Sequence, residues 1–140
     1  MADDRRRLRR AQLIERLRTA EHRQAAAQAH EAEEARRKLA SLSERTEALA
    51  RLYAVGEGTL HAADLRSASL LGAHLRDLGR TAGAQAEHAR THADAKLADL
   101  AAADRRRTRA EGERRDLQLA VAERRFAPEP ALPRRTRHDG

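Results

Sequence analysis

The sequence predicts an all-α protein, a long antiparallel two-helix coiled-coil hairpin with a short interrupted segment after its turn. Three observations lead there. No proline occurs from Met1 to Ala127, and then Pro128, Pro130 and Pro133 follow in quick succession. A proline inside a helix costs about 3 kcal/mol, so everything before the cluster is free to be helical. The segment Val55-Gly56-Glu57-Gly58-Thr59 is the strongest break in that stretch and lies near its middle. Its two glycines can end one helix, and Thr59 can cap the next. The composition agrees, because 32 of 140 residues are alanine and 36% are charged. That is a profile of long helices rather than of a thick globular core.

The organisation is therefore a single hairpin over residues 1–127. Helix 1 is expected over about 4–54, a turn at 55–59, and helix 2 over about 60–126. The tail, 128–140, is rich in Pro and Arg and is expected to be disordered.

Helix 1 carries a heptad seam that steps alternately three and four residues: Ala25, Gln28, Ala32, Ala35, Leu39, Leu42, Thr46, Leu49 and Tyr53. Before Ala25 the stripe continues out of register through Leu13, Leu17 and Ala20. In helix 2 the apolar positions Leu75, Leu78, Ala82, Ala86, Ala89, Ala93, Leu97 and Leu100 follow an eleven-residue repeat. Such a repeat predicts a nearly straight or slightly right-handed pairing. It resumes less regularly at Ala103, Ala110, Leu117 and Val121. Glu33–Arg37, Glu34–Lys38, Glu47–Arg51 and Glu111–Arg115 are spaced to form ion pairs along exposed helix faces.

After the turn the pattern is looser, with Ser67, Ser69 and Gly72 interrupting Leu60, Leu65, Leu70 and Leu71. This stretch reads as a short helix or a loosened start of helix 2. One seam cannot absorb all its leucines, since adjacent Leu70 and Leu71 point about 100° apart. Either they form an exposed apolar patch or a short helix at 59–70 folds over and buries them. Gly72, Gly79 and Gly83 read either as a close backbone approach or bend, or as tolerated drift in a long rod.

The net charge of +7 is concentrated. Residues 1–18 hold seven Arg against three acids, and residues 105–125 hold eight against four. Residues 41–80 hold five of each sign. Folding the chain back sets the two basic segments side by side, which makes the open end basic and the turn end neutral. Such an end attracts acidic partners. Nucleic-acid binding is not expected, for want of a base-reading region or an aromatic stacking platform.

No cysteine is present, which excludes disulfides and thiolate metal sites. No run of apolar residues is long enough for a membrane span, and the basic N-terminus lacks the apolar region of a secretory signal. A soluble cytoplasmic protein is expected. His88 and His92 are four apart, with His22 and His30 across the hairpin, but all four flank the seams and read as surface histidines. No phosphate loop or nucleophile with a placed base is found. No enzyme activity, metal or cofactor is expected.

Taken together, the proline-free helices, the glycine-containing break, the basic open end and the polar tail resemble the family of the flagellar export protein FliJ and its type III secretion counterpart YscO. The apolar run Leu60, Leu65, Leu71, Leu75, Leu78 and Ala82 adds to the likeness, which covers most of residues 5–126. The resemblance implies a cytoplasmic stalk, peripheral to the inner-membrane export machinery. Its open end would enter the pore of a hexameric export ATPase, its rod would reach the export gate membrane protein, and it would escort export chaperones. The ATPase-facing basic end would comprise Arg5, Arg6, Arg7, Arg9, Arg10, Arg105, Arg106, Arg107 and Arg109. The gate-binding residues would be Leu70, Leu71, Leu75, Leu78 and Ala82, with Leu71 where the family usually has an aromatic. Without the resemblance, the residues alone read as a coiled-coil scaffold or adaptor, or as a basic rod binding nucleic acid nonspecifically.

Overall fold

The computed structural model of the chain describes residues 2–56 and 62–126. The described residues form two helices, α1 (Ala2–Gly56) and α2 (Ala62–Phe126), packed along their lengths as an antiparallel hairpin. At about 1.5 Å per residue the longer helix extends about 100 Å. Asp3 and Asp4 open α1, Asp64 opens α2, and Arg124 and Arg125 close α2. Each of these charges complements the helix dipole at its end.

Several boundaries differ from expectation. Val55 and Gly56 continue α1 rather than starting the turn. No described residue has a positive φ. Gly58, Thr59 and Leu60 lie outside the described residues, as does the tail from Ala127 onward. The interruption expected after the turn is absent from Ala62 on, since α2 runs unbroken through Ser67, Ser69 and Gly72. Gly72 lies within it and, like Ala68, is buried.

The packing register is the main correction. In α1 the positions turned toward α2 are Asp4, Leu8, Ala11, Glu15, Arg18, His22, Ala25, Ala29, Ala32, Arg36, Leu39, Ser43, Thr46 and Ala50. In α2 they run from Ala68 through Gly72, Leu75, Gly79, Ala82, Ala86, Ala89, Ala93, Lys96 and Leu100. They continue through Ala103, Arg107, Ala110, Arg114 and Leu117 to Val121. Every position in both series is buried or half-buried, and both step alternately four and three without a fault. The repeat of α2 is thus seven residues and not eleven, and a sustained heptad gives a left-handed supercoil.

Leu78 and Leu97, placed in the seam by the eleven-residue stepping, stand 46% and 52% exposed, and Gly79 and Lys96 take their places. In α1 the column Ala25, Ala32, Leu39, Thr46 is as expected. The column Gln28, Ala35, Leu42, Leu49 is replaced by Ala29, Arg36, Ser43, Ala50. Leu13, Leu17 and Ala20 likewise face solvent.

Space explains the substitution. A Cβ added at Gly79 would meet Thr46 Cγ2 at 3.8 Å, and one added at Gly83 would meet Ser43 Oγ at 3.8 Å. Leucines in those columns would force the axes apart, because interaxial distance follows side-chain size at the contact. Among the described residues the buried hydrophobic side chains are all alanines, including Ala29, Ala32, Ala89 and Ala93. Since burial is worth about 0.8 kcal/mol per methylene, each contributes little, and the core draws its stability from length.

Charged seam residues are tolerated because their long side chains reach out to water. Glu15 accepts from Arg114 Nε at 2.8 Å, Asp4 from Arg124, and His22 Nε2 lies 3.5 Å from Asp104 Oδ1. These cross-helix pairs fix the register of the open half. On the surface, Glu33–Arg37, Glu47–Arg51 and Glu111–Arg115 pair as expected. Glu34–Lys38 does not pair among the described residues.

Candidate interaction surfaces

Two surfaces follow from this register, one at each end of the rod. At the turn end, each of Leu42, Leu49, Leu71 and Leu78 lies three residues past a seam position: Leu39, Thr46, Ala68 and Leu75 respectively. Three residues is about −60° around the helix, so each leucine sits just beside the seam. Because the helices are antiparallel, these offsets fall on the same face of the hairpin. Leu39 borders one groove with Thr81, Gln85 and His88, and Arg80 reaches its edge. Glu47, Ala50 and Arg51 border another with Arg76, Gly79 and Arg80 on the opposite face.

The first face is apolar. Its four leucines are each 40–49% exposed, and Leu52 and Tyr53 extend it toward the turn. Its rim carries Lys38, Arg45 and His74. The opposite face, with Glu47, Arg51, Arg76 and Arg80, is charged. An apolar patch confined to one face is the ordinary mark of a binding surface.

The residues assigned from sequence to a gate-contacting cluster divide three ways. Leu71 and Leu78 are on the apolar face. Leu70 is 73% exposed but points away from α1, to the back of α2. Leu75 is half-buried and Ala82 is buried, both against α1. Ala82 is therefore packing, and a partner reaches at most the edge of Leu75. Burial of Leu70 and Leu71 by a folded-over helix is ruled out for the described residues, where both are exposed. The sequence reading missed Leu42 and Leu49 as surface residues by placing them in the seam. Their heptad spacing, matched by Leu71 and Leu78, was the available signal.

At the open end, Arg5, Arg6, Arg7, Arg9, Arg10, Arg105, Arg106 and Arg109 are exposed. Arg107 is not part of that surface. It lies half-buried in the seam, bonded to Asp104 at 2.9 Å and 3.8 Å from Glu111. Segments 1–18 and 105–125 lie side by side as expected, but the arginine runs within them are offset. The contacts Asp4–Arg124, Glu15–Arg114 and His22–Asp104 place Arg5–Arg10 beside the last turns of α2. Arg105–Arg109 fall beside residues near 20 of α1, roughly 20 Å further along the rod. The basic charge is spread along the open half instead of concentrated at its tip.

Cross-helix and local pairs hold several carboxylates ionised. Hydrogen bonding from Arg114 lowers the Glu15 carboxyl below its ordinary range, against opposing desolvation. Arg107 does the same for Asp104, with His22 and Arg105 adding attraction. Arg36 and then Arg37 bring Glu33 down to about 2.

Among the described residues no three His, Asp or Glu side chains gather as a metal site requires. No described helix is long and apolar enough to cross a membrane. The arrangement offers surfaces to bind other molecules. No family model, curated protein or solved structure matches the chain.

Proposed function

We propose that the chain is a central-stalk component of a type III protein export apparatus, flagellar or virulence-associated. Its open end engages the hexameric export ATPase, its turn end docks on the export gate at the inner membrane, and it escorts export chaperones. The observation that carries this reading is the polarity of the rod. Leu42, Leu49, Leu71 and Leu78 line one face at the turn end, whereas the open half carries most of the exposed arginines, interleaved with exposed Leu13 and Leu17. A linker between two machines needs two chemically different ends held at a fixed distance, and two helices locked by a continuous heptad supply both.

The test separates the ends. Leu71→Ala and Leu78→Ala together should weaken capture by the gate's soluble domain, because both side chains sit on the apolar face. Reversal of Arg5, Arg6, Arg9 and Arg10 to Glu should abolish stimulation of the ATPase with gate capture intact. Helicity should survive both, since none of these residues is in the seam. Loss of neither activity would refute the stalk reading and leave an adaptor with other partners. Steeply salt-dependent DNA binding without ATPase stimulation would identify a nucleic-acid-binding rod.

A further inference from the structure

The structure assigns a further surface, separate from the turn-end face and sharing Arg6, Arg9 and Arg10 with the basic open end, to the outer side of α1 between Arg6 and His30. We infer that it docks a single amphipathic partner helix whose apolar stripe is flanked by carboxylates at heptad spacing. The inference starts from the register. With Ala11, Glu15, Arg18, His22 and Ala25 turned to α2, a second stripe is left facing away from it: Leu13, Leu17, Ala20, Gln24 and Ala27. These step four, three, four, three, which is the spacing of a coiled-coil seam, and all are exposed. Leu13 is 63% and Leu17 55% exposed, with Ile14 beside them.

The charge around this stripe is one-sided. Arg9, Arg16 and Arg23 recur every seven residues along one edge, and His30 continues the series. Arg6 and Arg10 extend the stripe toward the N-terminus. None of these five arginines forms an ion pair among the described residues. The carboxylates nearby are engaged elsewhere: Asp3 with Arg7, Asp4 with Arg124, Glu15 with Arg114 and Glu21 with Arg18. Seven residues of helix advance about 10.5 Å, so an arginine row of this period matches carboxylates repeated once per heptad on a second helix. Apolar spacing and charge period thus describe the same occupant.

A second copy of the chain does not fit. It would set the same arginine row against itself, and like charges facing each other across an interface oppose binding. Duplex DNA would satisfy the arginines but leave Leu13 and Leu17 without a partner.

The test uses the full chain and two labelled synthetic helices of about 28 residues, four heptads long. Both carry Leu at the seam positions; one has Glu and the other Lys at the flanking positions. Fluorescence anisotropy should show the Glu helix binding at least about tenfold tighter than the Lys helix, a difference of about 1.4 kcal/mol. Leu13→Gln with Leu17→Gln should cost the Glu helix a similar factor. Leu42→Gln with Leu49→Gln should change nothing, which separates this surface from the turn-end face. Arg9→Glu, Arg16→Glu and Arg23→Glu together should invert the preference toward the Lys helix. A circular dichroism melt checks that each variant folds. Equal binding of the two helices, or dependence on Leu42 and Leu49 instead, overturns the proposal. So does a chain dimer dissolved by Leu13→Gln with Leu17→Gln, or displacement of the helix by duplex DNA that ignores those substitutions.

Discussion

The turn half and the open half of the rod share one heptad frame and fill it with different chemistry. Around the turn the seam holds Leu39, Ser43, Thr46 and Ala50 against Leu75, Gly79, Ala82 and Ala86, small or apolar throughout. Toward the open end it holds Asp4, Glu15, Arg18 and His22 against Arg107 and Arg114, with the exposed Arg124 pairing to Asp4 from beyond the series. The outer surfaces differ as well, with leucines flanking the seam on one face of the turn half and arginines along the open half, where the exposed leucines Leu13 and Leu17 face away from α2. Close approach of small residues sets the geometry of one half, and charge pairing sets the register of the other. Because neither half buries large side chains inside, both retain chemistry to offer to partners.

Ala93, at the junction of the halves, is only 1% exposed, so the largest expected effect is there. Ala93→Leu should destabilise the hairpin by about 1–3 kcal/mol, the usual cost of overpacking, read as a fall in melting temperature. A neutral outcome would mean that the helices are not in close contact at midpoint. A smaller effect of opposite sign belongs to the turn half. A Cβ at Gly79 or Gly83 meets only ordinary van der Waals neighbours at 3.8 Å. Each Gly→Ala change should therefore stabilise by about 0.5–1 kcal/mol through helix propensity. Destabilisation would show the approach to be tighter than described.

The acid response should distinguish the open half and the junction from the turn half. Glu15, Asp104 and Glu33 have carboxyls lowered below their ordinary values, Glu33 from 4.5 to about 2. A depressed carboxyl contributes stability that is complete above its unfolded pKa and is lost as pH falls through the folded one. Melting temperature should thus hold above about pH 5 and decline from there toward pH 2. Glu15→Gln should lower the neutral-pH plateau and flatten part of the decline. A similar flattening from Glu47→Gln, in the turn half, would erase the contrast. The smallest effect is expected from Leu70→Ala. Leu70 points away from α1, and its removal should leave the melting temperature nearly unchanged.

The helices and their antiparallel pairing were legible in the sequence, because proline and glycine punctuate it so sparsely. The register was not, and the reason is physical. Alanine occurs on every side of both helices, so several stripes are equally apolar, and leucine looks like core on hydrophobicity alone. What selects the true stripe is size. The run Ala68, Gly72, Leu75, Gly79, Ala82, Ala86, Ala89, Ala93 steps four and three without a break and lets the backbones approach. Read by volume instead of hydrophobicity, Gly79 belongs inside and Leu78 outside. The arginines were legible as a basic half but not as a surface. Which of them turn inward, as Arg107 and Arg114 do, depends on the partner helix.

Disulfide trapping tests the central claim, that small residues face inward and leucines outward, most directly. The chain has no cysteine, so any introduced pair is read without background. Thr46→Cys with Gly79→Cys should close within one chain under mild oxidation, since the Cβ position of 79 reaches the side chain of 46 at 3.8 Å. Leu49→Cys with Leu78→Cys should stay reduced or link between chains, because both side chains stand outside the seam. Rapid closure of the leucine pair with failure of the Thr46–Gly79 pair would put the leucines in the core and contradict the account.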